Sequence, residues 1–281
     1  MKRTVLAVLA TTLACATPYQ PYQGHPVLAA IKFEGNPSVD QKELMSKIVT
    51  APTSGFFSKT ARYYDADLFA IDQKRIVRWY NVKGFYEAKI ADVQEQTDDK
   101  GRVTLVVRID EGKRTRVARQ DFEGVEKLTK DELNDIDDAL PVHPGDGFDE
   151  NVYEKAKEVV KQKLREHGFA EADVDGRVEV TLADATAHIT YECDTGDRFK
   201  FGKVTVTGNR RITSEDITFA TGIKKGEPYS PQAMSLAQQR VYNLGTFSGV
   251  RVNLEPLGDE PVAGVRVNVR EAPFQTVRAW S

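Results

Sequence analysis

One order of events runs three times along these 281 residues, and self-similarity on that scale predicts three copies of a small unit rather than one large core. Each copy opens with a short alternating strand that ends at glycine, continues through two helical patterns to a second glycine, and closes with two strands. In the first, Ile31 and Phe33 alternate with Lys32 and Glu34 before Gly35 and Asn36; Gly84, Phe85 and Tyr86 then precede a strand pair ending at Glu111 and Gly112. The second runs through Val117, Phe122 and Gly124 to Gly168 and Phe169 and ends at Thr195 and Gly196. The third has Val204, Val206, Gly208 and Asn209, then Leu244, Gly245, Thr246 and Phe247, and ends at Glu271 and Ala272. Gly84 to Gly112 and Gly168 to Gly196 are each 28 residues apart, and Gly245 to Ala272 is 27.

Helix starts repeat as well. Ser38, Thr129 and Thr213 stand where an N-cap belongs, with Gln41, Glu132 and Asp216 three residues on, which predicts two capping boxes and a close variant. The second helices start at Asp65, Asp149 and Ser230, the last followed by Pro231 at the first helical position. Asp65 to Gly84 and Asp149 to Gly168 span 19 residues but Ser230 to Gly245 only 15, a deficit of about one 3.6-residue turn. Leu68, Ile71, Ile76, Val77 and Tyr80 fall near one stripe, as do Val152, Ala156, Val159, Val160 and Leu164. Strands such as 103–107 and 265–269 alternate, which predicts sheets with one covered and one wet face. The expected fold class is therefore α+β, three tandem β-α-α-β-β modules at 29–112, 113–196 and 197–272. Each is a three-stranded sheet covered on one face by two helices.

Ahead of the repeats, residues 1–16 have a basic start, an apolar run from Val5 to Ala14 and a small-residue exit, the pattern of a secretory signal. Two processing routes stay open: cleavage after Ala16, or cleavage before Cys15 with lipidation of its thiol, although Thr12 stands where a lipobox usually has Leu. The Pro-rich residues 17–28 read as a tether. With 39 Lys and Arg against 42 Asp and Glu, the formal charge of -3 argues against a nucleic-acid partner. Cys15 and Cys193 are the two cysteines, too few for a disulfide framework.

The Gly-Asn pairs after the first strands, Tyr80 with Gly84-Phe85-Tyr86, and above all residues 242–250 (Tyr-Asn-Leu-Gly-Thr-Phe-Ser-Gly-Val) resemble polypeptide-transport-associated (POTRA) domains, over about Ala29 to Ala272. The resemblance is to outer-membrane assembly factors of the BamA/TamA-like family, in which such units stand in the periplasm before a transmembrane barrel. It implies a periplasmic location at the outer membrane and partners that are unfolded outer-membrane protein clients or an assembly-machinery protein. Residues 273–281 resemble the lead into a first barrel strand, and eight residues from Phe274 onward are too few for a barrel. Pore formation is therefore not carried over, and the barrel is expected in cis if the chain is truncated, otherwise in trans.

By resemblance, the second strand of each module is an exposed edge able to pair with an extended client segment. The candidate edges are residues 89–95, 173–182 and 250–254, and the site residues proposed on them are Lys89, Ile90, Ala91, Asp92 and Val93 with Val250, Arg251, Val252, Asn253 and Leu254. The competing reading is that Lys89, Asp92, Glu95, Asp173, Asp175 and Arg177 blunt these edges against aggregation. An adaptor or spacer, lipid-anchored through Cys15 and docked on a separate barrel protein, is the alternative function. A part in cell division or two-partner secretion is a third, and the three modules argue against it, because those systems usually carry fewer.

Catalytic and cofactor readings find little support. His25, His143, His167 and His188 are scattered without metal-ligand spacing, and no cofactor motif occurs. Gly-Ile-Lys-Lys-Gly at 222–226 lacks the ending of a phosphate loop and lies between helices. The basic residues Lys113, Arg114, Arg116 and Arg119 read as a solvated joint flanked by Asp110, Glu111 and Asp121, and Cys193 as a small buried hydrophobe. No enzymatic activity is expected.

Overall fold

The computed structural model describes residues 24–53, 61–255, 258 and 260–273. The signal, Cys15, most of the tether and the stretch from Phe274 lie outside them.

Three three-stranded sheets, each packed with helices, follow one another along the chain. In the first module β1 (Leu28–Glu34), α1 (Gln41–Met45), α2 (Ala66–Val82), β2 (Lys89–Thr97) and β3 (Val103–Asp110) form a sheet of order β1-β3-β2. The second has β4 (Arg116–Glu123), α3 (Lys130–Asp138), α4 (Glu150–Glu166), β5 (Asp173–Thr181) and β6 (Thr186–Asp194), with order β4-β6-β5. The third has β7 (Lys200–Thr207), α5 (Ser214–Thr221), α6 (Pro231–Tyr242), β8 (Phe247–Leu254) and β9 (Val262–Glu271), with order β7-β9-β8. The third strand of each module is central, parallel to the first and antiparallel to the second. The second and third modules together make one compact unit beginning at Thr115, and the first makes another.

The glycine that ends each first strand has a double cause. Gly35, Gly124 and Gly208 have φ of 74°, 76° and 87°, where a Cβ is penalised. A Cβ there would also strike the carbonyl oxygen of Ile109, Cys193 or Val269 on the central strand. Where Asn follows, at Asn36 and Asn209, its amide donates to the carbonyl of Val39 at 2.7 Å or Ile212 at 2.8 Å and ties the turn into α1 or α5. A carboxylate at the end of the central strand completes the tie. Glu111 accepts from the Ser38 N–H and the Tyr80 hydroxyl, both at 3.1 Å, and Glu271 accepts from the Arg210 and Arg211 N–H groups, both at 2.7 Å. These donors, with the Arg211 side chain, hold Glu271 down at about 2.

Thr129 and Glu132 form the expected capping box, and Asp65, Asp149, Ser230 and Thr213 cap their helices. Ser38 does not. Asp40 caps α1, its carboxylate accepting from the Lys42 N–H at 2.8 Å, and the helix starts at Gln41, too far along for the Ser38 side chain to cap it. α6 has 12 residues where α2 and α4 have 17, the expected shortening. The stripe on α2 also needs correction. Phe69, Asp72, Ile76 and Tyr80 are buried, while Ile71 is exposed. The tether reading extends too far: Val27 and Leu28 are buried in the first module, and the Tyr64 N–H donates to the Pro26 carbonyl at 2.8 Å.

Asp72, fully buried, accepts from the N–H of Thr50 at 2.7 Å, that of Val49 at 3.1 Å and the Arg75 guanidinium at 2.6 Å. Burial works to raise its pKa, but the hydrogen bonds from Thr50, Val49 and Arg75 outweigh it and leave the carboxyl below its ordinary value. A helix carboxylate thereby anchors the loop after α1.

Candidate functional site: the sheet edges

A three-stranded sheet has two rims, and the chain treats them differently. In every module the segment just before the second helix runs antiparallel along the start of the first strand. The Leu28 N–H donates to the Arg62 carbonyl at 2.8 Å; Val117 donates to Asp146 at 2.9 Å and Gly145 to Val117 at 2.7 Å; Phe201 donates to Glu227 and Gly226 to Phe201, each at 2.8 Å. Isolated bridges Val27 with Tyr63, Arg116 with Gly147 and Lys200 with Pro228 mark the same pairing. The chain thus covers the beginning of the first-strand rim itself, and no such covering segment pairs with the rim of the second strand among the described residues.

The three second strands are not equivalent. β2 carries the expected Lys89, Ile90, Ala91, Asp92 and Val93, but its register slips between Ile90 and Asp92, so Ala91 sits in a bulge. β8 slips between Phe247 and Gly249. Its Val250, Arg251, Val252, Asn253 and Leu254 pair onward in order, yet the Val252 N–H already donates to Gln238 Oε1 on α6 at 3.1 Å. Since alternate residues of an antiparallel edge strand turn their N–H and C=O outward, that contact occupies the centre of the rim shared by Val250, Val252 and Leu254. β5 has no slip, although on its rim the Gly176 N–H donates to the neighbouring Asp175 carboxylate at 2.8 Å. All nine of its residues pair in unbroken register, from Asp173 with Asp194 to Thr181 with Thr186; Leu182, included in the expected edge, lies in the turn beyond and is exposed.

Charges on these strands lie across the wet faces of the sheets. Arg177 contacts Glu192 at 2.5 Å on β6, Glu179 at 3.4 Å and Glu123 at 3.5 Å on β4, and Arg108 joins Glu34 at 3.2 Å to Asp92 at 3.8 Å. Asp173 pairs instead with Lys161 of α4 at 2.6 Å. These partners tie the charged side chains to neighbouring strands and to α4.

Inside the second module, Gly176 of β5 lies under the Tyr153 ring of α4. A Cβ at 176 would collide with the Tyr153 hydroxyl and stand 3.0 Å from the Thr190 carbonyl oxygen. That hydroxyl is buried and has no hydrogen-bond partner among the described residues. Burial raises the phenol's pKa. Gly176 therefore brings helix and edge strand close together near the middle of β5.

Most of the remaining singled-out residues have structural partners. Arg114 lies over the Phe85 ring, Arg116 donates to the Gly145 carbonyl at 2.9 Å, and Arg119 pairs with Asp121 at 2.8 Å. His188 meets Asp121 at 2.6 Å and His167 meets Asp135 at 3.0 Å. Among the described residues no group of three or more His, Cys, Asp or Glu is placed to hold a metal ion. Cys193 is buried, which pushes its thiol up to about 11. Between the second and third modules Arg198, missed in the sequence, donates to Glu132 at 2.7 and 2.8 Å and to the His167 carbonyl at 3.1 Å while lying over the Phe169 ring. The capping-box Glu132 was its one visible signal. Gln238 had none.

Three helix-covered, three-stranded sheets of one topology, each with its first strand paired at the start by the chain itself, define a chain of tandem repeated modules. The POTRA profile, described as surface antigen variable number repeat, matches residues 26–112, 115–196 and 199–272, and the chain belongs to that family. Outer membrane protein assembly factor BamA of Neisseria meningitidis serogroup B is 22% identical over 235 residues, which cover 82% of this chain and 29% of that protein. BamA of Neorickettsia risticii is 23% identical over 260 residues, 89% of this chain and 34% of that protein. A putative outer membrane protein assembly factor of Treponema pallidum is 28% identical over 209 residues, 72% and 24% respectively. The chain thus spans about a third or less of the length of these curated relatives. A crystal structure of POTRA domains 3–5 of Haemophilus influenzae BamA has a TM-score of 0.49 at 24% identity, covering 88% of this chain and 96% of that one.

Proposed function

We propose that this chain is a set of periplasmic modules that handle or dock outer-membrane protein clients by β-augmentation, as part of outer-membrane protein assembly, and that it carries out no reaction of its own. The observation that carries the reading is the nine-residue register of β5, the one second strand without a slip, while the rims of β1, β4 and β7 are covered at their starts by the chain itself. Relatives named as outer membrane protein assembly factors support the cellular setting.

Four or five ladder hydrogen bonds at about 0.5 to 1.5 kcal/mol each give roughly 2 to 7 kcal/mol, against an association cost of about 4 to 15 kcal/mol. One rim binds weakly. Tandem rims raise the effective concentration of the second contact, which suits transient handling of an unfolded client. The test is titration of the ¹⁵N-labelled chain with an extended peptide copied from an outer-membrane barrel strand. Amide shifts are expected along residues 173–181, and in Gln238→Ala, where the Val252 N–H is released, they extend to β8. Shifts confined to the helices, or none at millimolar peptide, overturn the reading.

A further inference from the structure

The third module carries a second surface, on the other side of its sheet. Phe219 on α5 is 90% exposed, the barest large apolar side chain among the described residues. It borders a groove between α5 and β7 whose walls include Val204, Val206 and Ile223, with Lys203 and Lys224 at the rim. The covering segment described above pairs with β7 only as far as Phe201; from Val204 to Thr207 no backbone partner beyond β9 is found among the described residues. Lys203 and the neighbouring Lys225 have no carboxylate within ion-pair distance among those residues, Lys224 reaches Glu227 only at 3.7 Å, and Glu215 is the one carboxylate in the wall.

The second module is an internal control. There Leu140 and Val142 are buried, and the Gln120 amide on β4 ties down the Val142 carbonyl at 2.9 Å, so the chain fills the corresponding place itself. Six residues past the helix cap, where the third module has Phe219, it has Asp135, ion-paired to Lys163 at 3.1 Å. An exposed phenylalanine beside an unfilled groove is thus not a requirement of the fold.

We infer that the α5–β7 groove is a docking site for an extended acidic segment of another protein, whose apolar side chain rests on Phe219 and whose carboxylates meet Lys203, Lys224 and Lys225. The strand rim accepts an extended backbone where the covering segment leaves off, and ammonium groups that lack a carboxylate, at Lys203 and Lys225, or hold one only at 3.7 Å, at Lys224, select carboxylates interleaved with apolar residues. This surface is independent of the β5 rim and can fail or hold without it.

Two ten-residue synthetic peptides of one alternating design decide the matter, one with glutamate and one with lysine between its phenylalanine and leucine positions. Each is titrated into the ¹⁵N-labelled full chain at low and physiological salt. The glutamate peptide is expected to shift amides of residues 203–206 and 214–224, more strongly at low salt. Phe219→Ser and the double variant Lys203→Glu, Lys224→Glu are each expected to weaken it tenfold or more. All three side chains are exposed, so the thermal midpoint stays in place. Equal binding of the two peptides, full affinity in Phe219→Ser, or shifts limited to β5 and β8 overturn the inference. The last result would leave the β-augmentation reading standing.

Discussion

Replacing Tyr153 by phenylalanine removes a buried hydroxyl that lacks a hydrogen-bond partner among the described residues. Its ring contacts, with centroids 6.3 Å from Phe148 and 6.2 Å from Tyr191, survive the change. Relief of an unsatisfied polar group contributes about 1 to 3 kcal/mol, so Tyr153→Phe should stabilise the second module. Gly176→Ala should do the reverse, because its new methyl collides with that hydroxyl, and overpacking costs about 1 to 3 kcal/mol. Combined, the two interact: without the hydroxyl the approaches that remain are 3.0 Å to the Thr190 oxygen and 3.3 Å to the ring Cζ, both milder than the collision removed. Alanine also recovers roughly 0.5 to 1 kcal/mol of the backbone entropy that glycine loses. The double variant should therefore be more stable than the sum of the single changes by about 1 to 2 kcal/mol.

Cys193 supplies a probe specific to this module. It lies on β6, paired with Val174, and its buried thiol becomes an alkylation target only when the module opens. Pulsed alkylation across a urea gradient, with Cys15→Ser in every variant, reads the opening midpoint of the second module alone. A destabilised Tyr153→Phe would show that the hydroxyl is hydrogen-bonded in solution, and additive single changes would show that Gly176 and Tyr153 are not in contact; either result refutes the reasoning.

Gly124→Ala combines the left-handed φ of 76° with a collision at the Cys193 carbonyl, and should cost at least about 2 kcal/mol by the same alkylation readout. Arg198→Ala should return Glu132 from about 2 toward its ordinary 4.5, because the Arg198 hydrogen bond is the largest cause of that depression. A carboxyl depressed in the folded state contributes stability above pH 4.5 that is lost as pH falls toward 2, so stability in that window should depend less on pH in the variant; carboxyl-carbon NMR titration checks it. Asp72→Asn weakens charge-assisted bonds to Val49, Thr50 and Arg75 and should cost about 1.5 to 3 kcal/mol, with faster hydrogen exchange at the Val49 and Thr50 amides.

Much of the fold was legible because it is written in local chemistry. Asp65, Asp149 and Ser230 are helix caps whose partners lie within three residues, and the 28-residue spacing begins at Gly84 and Gly168, both with φ near +90° just after a second helix. Local rules also misled. Ser38 has a cap's chemistry, but the helix starts only at Gln41 and Asp40 caps it, while a carboxylate 73 residues away holds the Ser38 N–H. Asp72 reads as solvent-facing by type, and burial becomes tolerable only because two amides and a guanidinium converge on it.

The candidate edges divide along the same line. The repeat order and the family resemblance place the second strand of each module at a rim, but three similar strands cannot be ranked from their side chains, since β-pairing is a property of main-chain groups that every residue carries. Rank follows from contacts between separated segments: Gln238 reaching the Val252 N–H, a bulge at Ala91, Tyr153 resting over Gly176, and residues before each second helix lying along the first strand. Amino-acid type and spacing determined that three helix-covered sheets form and where each begins. Which backbone hydrogen-bonding groups remain available to another chain was decided only by tertiary packing, because a donor's availability depends on what distant residue stands opposite it.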